Sequence, residues 1–482
     1  MTAVDPRTPV IIGAGQLNDR EYGSEPIDLM TRSAEAAIDD TGAAAGVRAA
    51  IDAVRVVWGI WPYRDPGRLV ADRLGCRSAR TTLTAVGGNQ TYDLVTDTAR
   101  RIAEGSVDVA VLCAAESMRT RRADHARGID SDYLPEAEGA TPDETLGSNK
   151  PFTTDAEEAI GAHYPARFYA MAETALRHRL GEGVDEHRRR IASMWARASE
   201  IAAANPNAWL RQARSADEIA TTDERNRPIA APYPKLMTSN LNVDQGGAVV
   251  MCSAATAERL GVPADRWVFP LSGAGAADHP SMTTRWAFDE SPAMRLVGRD
   301  ALGLAGVDVD DCALIDLYSC FPVAVQVAQR ELGIAPERDW TITGGLTFAA
   351  GPMNCYCILP LTRAVELLRA APDQHALLTG NGGMFSKHSA LVLSGTPSPN
   401  GFRSGSPQAE VDALPARPAP DAPAQRATLE AYTVLFDRDM QPERAILASL
   451  DDEGRRHWSD STDASTMAEL LSTDACGTDV TL

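Results

Sequence analysis

Short apolar runs bounded by turns alternate along this chain with longer segments of helical period, and no other feature constrains the fold as strongly. Val10 to Gly13 reads as a buried strand, and Ile27 to Thr41 as a helix with Leu29, Met30, Ala34, Ala37 and Ile38 on one face. Val54 to Ile60 and Thr81 to Val86 read as strands. A tight turn at Gly87-Gly88 leads into a helix running to about Glu104, with Leu94, Val95, Thr98, Ala99 and Ile102 as its apolar face. Gly105 closes that helix, and Val107 to Cys113 is the next strand. Parallel strands need crossover connections, so this rhythm predicts an α/β protein with a largely parallel, buried sheet. A second run of the same kind starts near Trp267, with a helix from Pro292 to Leu304, then Gly306, then a strand from Ala313 to Leu317. The spacings of the two runs agree roughly, which suggests an internal repeat around a shared core.

Two stretches break the rhythm. Arg119 to Ile160 is polar and acidic and reads as a loop excursion. After it, Asp185 to Ala204 reads as a helix with Ile191, Met194, Trp195, Ala198 and Ile201 facing one way, stopped by Asn205-Pro206. Ala248 to Cys252 restores buried strand character. From Gly395 to Pro423, seven prolines (397, 399, 407, 415, 418, 420 and 423) predict an extended linker without regular helix or sheet. Beyond it, Leu429 to Phe436, an Asp437-Arg438-Asp439 turn and Ala445 to Leu450 read as a hairpin, and Asp452-Glu453-Gly454 as a second turn. The tail is thus a small β appendage of roughly 60 residues, marginal in size for independent stability.

With 482 residues the chain exceeds one compact core. Its net charge of −20 repels nucleic-acid phosphates and anionic lipid heads, which argues against either as a partner. No apolar run approaches the roughly 20 residues that cross a bilayer, so no membrane insertion is expected. Met1 to Pro9 lacks a basic region followed by an apolar core. The eight cysteines are scattered without a CxxC pair, and the eight histidines include no HExxH spacing. The expectation is a cytoplasmic protein with reduced thiols and no metal site.

Gly13-Ala14-Gly15 after the opening strand resembles a dinucleotide fingerprint, but its third glycine would fall at Asn18, followed by a polar loop rather than a helix. Val86-Gly87-Gly88-Asn89-Gln90-Thr91 lies at a strand-to-helix junction, where unpaired N–H groups suit an oxyanion or a nucleophile; alternatively Asn89 only caps the helix.

From Gly88 to Met118, with Ile102, Gly105, the strand through Cys113 and Glu116-Ser117-Met118, the sequence resembles the thiolase segment C-x-S-G…I-x-x-G…G-x-E-S-M. Asn205-Pro-Asn-Ala-Trp209, Asn226-Arg-Pro, Pro232-Tyr-Pro-Lys235 and Asn242-Val-Asp-Gln-Gly-Gly-Ala248 are similar to the sterol-carrier-type thiolase branch. Asp316-Leu-Tyr-Ser-Cys-Phe321 stands where that branch has H-D-C-F, Gly344-Gly-Leu-Thr-Phe-Ala-Ala-Gly-Pro352 where it has G-G…G-H-P, and Thr379-Gly-Asn-Gly-Gly-Met384 where it has C-x-G-G-G. The resemblance covers residue 9 to about residue 394, and Tyr432-Thr-Val-Leu-Phe-Asp-Arg438 resembles the additional C-terminal domain of mycobacterial-type thiolase-like proteins called type 1.

The resemblance implies a thiolase fold with two similar βαβαβαββ halves in five layers, an inserted loop domain and a small C-terminal β domain. The implied boundaries are 1–265 for the first half, with its loop domain at about 119–245, then 266–394, a linker at 395–424 and the last domain at 425–482. The implied ligand is an acyl-coenzyme-A, with coenzyme A as part of the substrate and no covalently bound cofactor. The C-terminal domain is the expected contact for a second copy or a protein partner.

The departures from the family pattern bear on chemistry. Gly88, Gly351 and Thr379 stand where a thiolase has its nucleophilic cysteine, its histidine and its second cysteine. Glycine cannot carry an acyl group, so Claisen thiolase turnover is not expected. Cys320, Cys355 and Cys357 are rescue candidates, or simply small buried hydrophobes. Tyr318 replaces the histidine of H-D-C-F, and its hydroxyl is suited to polarising a carbonyl or donating a proton. Sterol side-chain aldolases, thiolase-like proteins without the cysteine, use tyrosine; their second tyrosine falls at Gly351 here, with Tyr356 five residues on. The expected catalytic set is Tyr318, Asn89, His388 and Cys320, with Lys387-His388 equally readable as a surface or structural pair. The expected substrate-binding set is Gly88, Arg121, Arg122, Lys235, Ser239, Asn240, Asn242, Gly351, Asn354 and Tyr356. Three functions remain open: acyl-CoA processing without a cysteine-bound intermediate, a retro-aldol lyase using Tyr318, and a non-catalytic CoA-binding protein.

Overall fold

The computed structural model describes residues 4–131, 133–150, 153–422 and 424–481. Pro423, the last proline of the linker, lies outside the described residues. In the first half, β1 (Pro9–Asn18), α1 (Pro26–Asp40), β2 (Ala53–Val56), α2 (Pro66–Leu74), β3 (Arg80–Thr84), α3 (Gln90–Glu104), β4 (Val109–Ser117) and β5 (Asp244–Ser253) follow the order βαβαβαββ. They form a sheet ordered β1-β5-β4-β2-β3, with Glu144–Leu146 added at the β3 edge. β2 runs parallel to β3 and β4, and β5 antiparallel to β1 and β4.

The second half contains β6 (Phe269–Ala277), α4 (Pro292–Ala305), β7 (Leu314–Asp316), α5 (Pro322–Leu332), α6 (Ile358–Ala370), β8 (His375–Gly382) and β9 (Lys387–Ser394), with sheet order β7-β8-β9-β6. Where the first half has its third strand, the second has, among the described residues, one backbone–backbone hydrogen bond, from the Leu317 N–H to the Trp340 carbonyl at 2.9 Å. α3 and α6 pack between the two sheets, α1 and α2 cover the outer face of the first, and α4 with α5 that of the second. This makes five layers.

Glycines set the spacing of these layers. A β-carbon at Gly273 in β6 would stand 2.0 Å from the Thr96 hydroxyl of α3, and one at Gly13 in β1 would stand 2.0 Å from the Ala37 carbonyl of α1. The Gly13-Ala14-Gly15 sequence therefore serves helix-on-sheet packing; β1 runs past Gly13 to Asn18, and the loop expected after it follows at residues 19–25.

Other expectations need correction. β2 ends at Val56, not Ile60, and the Trp58 N–H turns to the Thr84 hydroxyl at 3.0 Å. The 119–160 excursion contains a strand (Glu144–Leu146) and helices Met118–Ala126 and Asp155–Ala159. Helix Pro165–Leu180 went unread because its residues from Phe168 to Arg177 are all buried, leaving no polar face to reveal a period. The linker carries strand Arg403–Gly405, paired parallel to β6, and helix Gln408–Asp412. That strand falls in the proline-free stretch 400–406, where each residue keeps the N–H that sheet pairing needs. Among the described residues no helix is long and apolar enough to cross a membrane.

The tail is no free-standing appendage. Strands Arg426–Phe436, Pro442–Leu450 and Arg456–Ser461 are joined by helix Ala464–Ser472, and the first of them continues its sheet into the insertion by pairing Leu435 with Ala230. Arg456 fastens this domain to the core. It is fully buried, paired with Glu430 at 2.6 Å, donates to the Met282, Thr283 and Arg285 carbonyls, and stacks 4.3 Å over Phe288. Replacing Arg456 by methionine is expected to destabilise the protein by about 3 kcal/mol, since Glu430 keeps only Arg417, at 3.8 Å, and three carbonyls lose their donor. Denaturant unfolding measures the loss, and limited proteolysis should show faster cleavage between residues 406 and 425.

Candidate functional site

A cavity of about 440 Å³ opens where the carboxyl ends of β3, β7 and β8 meet the insertion. Parallel strands end there with their helices starting behind them, the usual placement of ligand sites in such sheets. β7 ends at Asp316 and hands over to Tyr318, whose N–H donates to the Thr379 hydroxyl at 3.1 Å on the neighbouring β8. β3 hands over to the Gly87-Gly88 turn, and Gly87, at φ +153°, adopts a conformation that favours glycine.

Tyr318 and Gly88 are matched to each other. A β-carbon at Gly88 would stand 2.5 Å from the Tyr318 hydroxyl, 2.7 Å from its ring and 2.5 Å from the Asn381 carbonyl. The tyrosine thus fills the space a side chain at position 88 would take. Among the described residues its hydroxyl meets no hydrogen-bonding partner, and it faces the cavity. Burial, with Cys320, Cys357 and Cys355 close by, pushes its phenol well above the ordinary tyrosine range. It is a proton-bearing donor at neutral pH and not a base.

The cavity walls are largely apolar: Tyr169, Ile229, Leu241, Phe321, Leu346, Met353 and Met384 line them. Tyr169 stacks on Phe321 with ring centres 4.9 Å apart and accepts a 3.0 Å hydrogen bond from the Asn381 side chain. These residues gave no sequence signal, because an apolar side chain lining a cavity reads like one in the core. Asn381 was legible only as a non-glycine inside the Thr379–Met384 turn.

Of the expected residues, Tyr318, Cys320, Gly88, Ser239, Gly351 and Asn354 line the cavity. Ser239 donates to the Cys320 carbonyl at 2.9 Å and Asn354 to the Trp58 carbonyl at 3.1 Å. Burial pushes the Cys320 thiol up to about 12 and the Cys355 and Cys357 thiols well above their usual range, so none offers a thiolate at neutral pH. Cys357 instead contacts the Gly88 carbonyl at 2.9 Å.

The other expected residues lie elsewhere. His388 is buried behind the cavity wall, its Nε2 against the Phe385 carbonyl at 2.8 Å and the Ser291 hydroxyl at 3.0 Å, and burial lowers it to about 4, leaving a neutral ring. Asn89 makes no side-chain cap; its amide donates to Asp93 at 2.6 Å, on a cleft beyond the Gly87-Gly88 turn. Tyr356 is fully buried and bonded to Asp316 at 3.0 Å and Thr343 at 2.9 Å, a structural anchor under Tyr318. Asp316 also accepts from Thr341 at 2.8 Å, and burial raises its carboxyl to about 6. Arg121 donates to the Ile60 carbonyl, Arg122 and Lys235 are exposed, Asn240 braces the Leu346 and Gly351 backbones, and Asn242 is exposed. None of these lines the cavity.

Residues 407–482 match the family model of the thiolase-like protein type 1 additional C-terminal domain. Among solved structures, a monomeric SCP2-thiolase like protein type 1 from Mycobacterium smegmatis is 32% identical, with TM-score 0.85, covering 99% of this chain and 97% of its own. The Ltp2-ChsH2(DUF35) aldolase is 20% identical with TM-score 0.62, covering 81% of this chain and 98% of its own. Human mitochondrial 3-ketoacyl-CoA thiolase is 16% identical with TM-score 0.56, covering 81% and 99%. The last two likenesses show the fold alone. No curated protein matches.

The fit of Tyr318 against Gly88 sets a test of the site. Gly88→Cys alone should lower stability by about 1–3 kcal/mol through overpacking. Combined with Tyr318→Ala it should cost less than the sum of the two single changes. Thermal melting of both single variants and the double variant measures the coupling.

Proposed function

The chain belongs to the SCP2-thiolase-like protein type 1 family, and from that premise we propose that it takes an acyl-coenzyme-A thioester into the Tyr318 cavity and processes it without a cysteine-bound intermediate. The observation that carries this reading is the Tyr318 hydroxyl, unpartnered and protonated, standing in the space of the missing nucleophile at the end of an apolar cavity. A thioester carbonyl there receives a hydrogen bond from the phenol where a thiolase would attack it with sulfur. A donor in a water-poor pocket stabilises charge developing on that oxygen more strongly than water does.

A retro-aldol lyase, the alternative to which the name of the Ltp2-ChsH2(DUF35) aldolase draws attention, requires in addition a base for the β-hydroxyl. Among the described residues the lining side chains include no carboxylate and no imidazole. Lys387 is the one amine there, and it donates to the Val86 carbonyl at 2.9 Å. The balance favours a site that binds and polarises the thioester over one that breaks a carbon–carbon bond.

Calorimetry should show binding of an acyl-CoA, and intact-protein mass after incubation with acetyl-CoA should show no acetyl adduct. A stoichiometric, CoA-reversible adduct on a cysteine would overturn the reading. Once a turned-over thioester is known, Tyr318→Phe should cut its turnover by roughly 10²-fold with the melting temperature unchanged. Unchanged turnover in the folded variant would remove the Tyr318 phenol from the mechanism. Because the phenol is raised, its proton is retained below its folded value and lost only above it. The advantage of wild type over Tyr318→Phe should therefore stay flat from about pH 6 to about pH 9.

A further inference from the structure

Among the described residues Lys387 is the one charged side chain lining the apolar cavity, and it lines a second, polar cleft as well. That cleft, about 490 Å³, lies beyond the Gly87-Gly88 turn and is walled by Asn89, Gln90, Asp93, Arg100 and Ser148. The lysine thus stands at the boundary between the thioester cavity and the polar cleft. Its ammonium donates to two neutral carbonyls, Val86 at 2.9 Å and Ser148 at 3.1 Å, which leaves its third proton free. Among the described residues no carboxylate lies within ion-pair distance of it. Asp93, the nearest acid, is bonded to the Asn89 amide at 2.6 Å and pushed up to about 7 by burial, so it supplies only part of a counter-charge. The Asn89 and Gln90 side-chain oxygens are buried with no partner beside it. Asp97, farther along the cleft, is already held by Arg55, Arg100 and Arg101. A partly buried cation without an anion is costly, and an apolar cavity that ends on one is built to take an anion.

We infer that Lys387 receives an anionic group of the ligand, so that the acyl chain held beside Tyr318 ends in a carboxylate. This rests on the thioester reading above and names its substrate class: acyl thioesters of dicarboxylic acids. The thioester carbonyl sits on the Tyr318 phenol, the methylenes lie along the apolar wall, and the distal carboxylate meets the free ammonium proton where the cavity joins the cleft. Lys387 follows the glycine turn as the first residue of β9, and its backbone pairs with β6 and β8.

The test compares glutaryl-CoA with valeryl-CoA, equal in carbon count and differing in one carboxylate, by calorimetry on the full chain. Wild type should bind glutaryl-CoA about tenfold more tightly, as a charge-assisted contact gives. Lys387→Met should lose that preference while keeping its affinity for valeryl-CoA within about threefold. Equal affinities in wild type, or a preference that survives in Lys387→Met, would overturn the inference while leaving thioester binding intact. Lys387→Gln, which keeps a donor for the two carbonyls, replaces the methionine variant if that one fails to melt cooperatively. If neither thioester binds, the function proposed above fails, and glutarate alone decides for Lys387. A rise in melting temperature with glutarate in wild type and none in the variant supports the anion site; no rise in wild type overturns it.

Discussion

Two sheets can share one layer of helices only where backbone is allowed to meet backbone, and the rest of this structure depends on that constraint. α3 touches β6 at Gly273 and β8 at Gly380, where β-carbons would stand 2.0 Å from Thr96 and 2.8 Å from the Asn89 Cα. α6 touches β5 at Gly247 in the same way, with Ile358 at 2.7 Å. Close approach removes water from the middle layer, so the polypeptide ends that converge there are buried whatever residues they carry. The amino end of α3 is one of them, and with it the Gly87-Gly88 turn is pressed against Tyr318 and β8.

Burial at that convergence explains the chemistry of the site. Five groups that could serve as a nucleophile or base are driven toward their neutral forms: the thiols of Cys320, Cys355 and Cys357, the phenol of Tyr318 and the ring of His388. A thiolase-fold site with a cysteine at position 88 would hold a group able to form a bond to the acyl carbon. With glycine there, the tyrosine moves into the space, and the site offers hydrogen bonds in place of covalency. Asp316, braced by Thr341, Thr343 and Tyr356, fixes the backbone from which Tyr318 projects, so the hydroxyl is held by the fold and not by a partner of its own.

The C-terminal domain belongs to the same structure. Its first strand shares a sheet with the insertion, and Arg456 plugs into the carbonyls at 282, 283 and 285 of the second half. The insertion also supplies Tyr169, Ile229 and Leu241 to the cavity wall. The domain at the end of the chain therefore braces the element that closes the site. A small domain with little core of its own gains stability by sharing a sheet in this way.

The alternation of apolar runs and helical periods in the sequence determined the α/β class and most strand and helix positions, because each element buries one face at a fixed period. The ordered motifs from Gly88 to Met384 located the turns that form the site, since turn geometry and glycine needs are local. Tyr318, Gly88, Cys320, Ser239, Gly351 and Asn354 were legible for that reason. Helix Pro165–Leu180, buried on all sides, had no period to read, and the paired strand inside the proline-rich segment depended on an edge far away in sequence. Arg121, Lys235, Asn240 and Tyr356 have the residue types a ligand site needs, yet the path of the chain turns them to carbonyls, solvent or Asp316. Only the tertiary structure decided that the Tyr318 ring fills the space beside Gly88 and that Lys387 faces both cavities, because which side chains share a cavity is set by contacts between segments hundreds of residues apart.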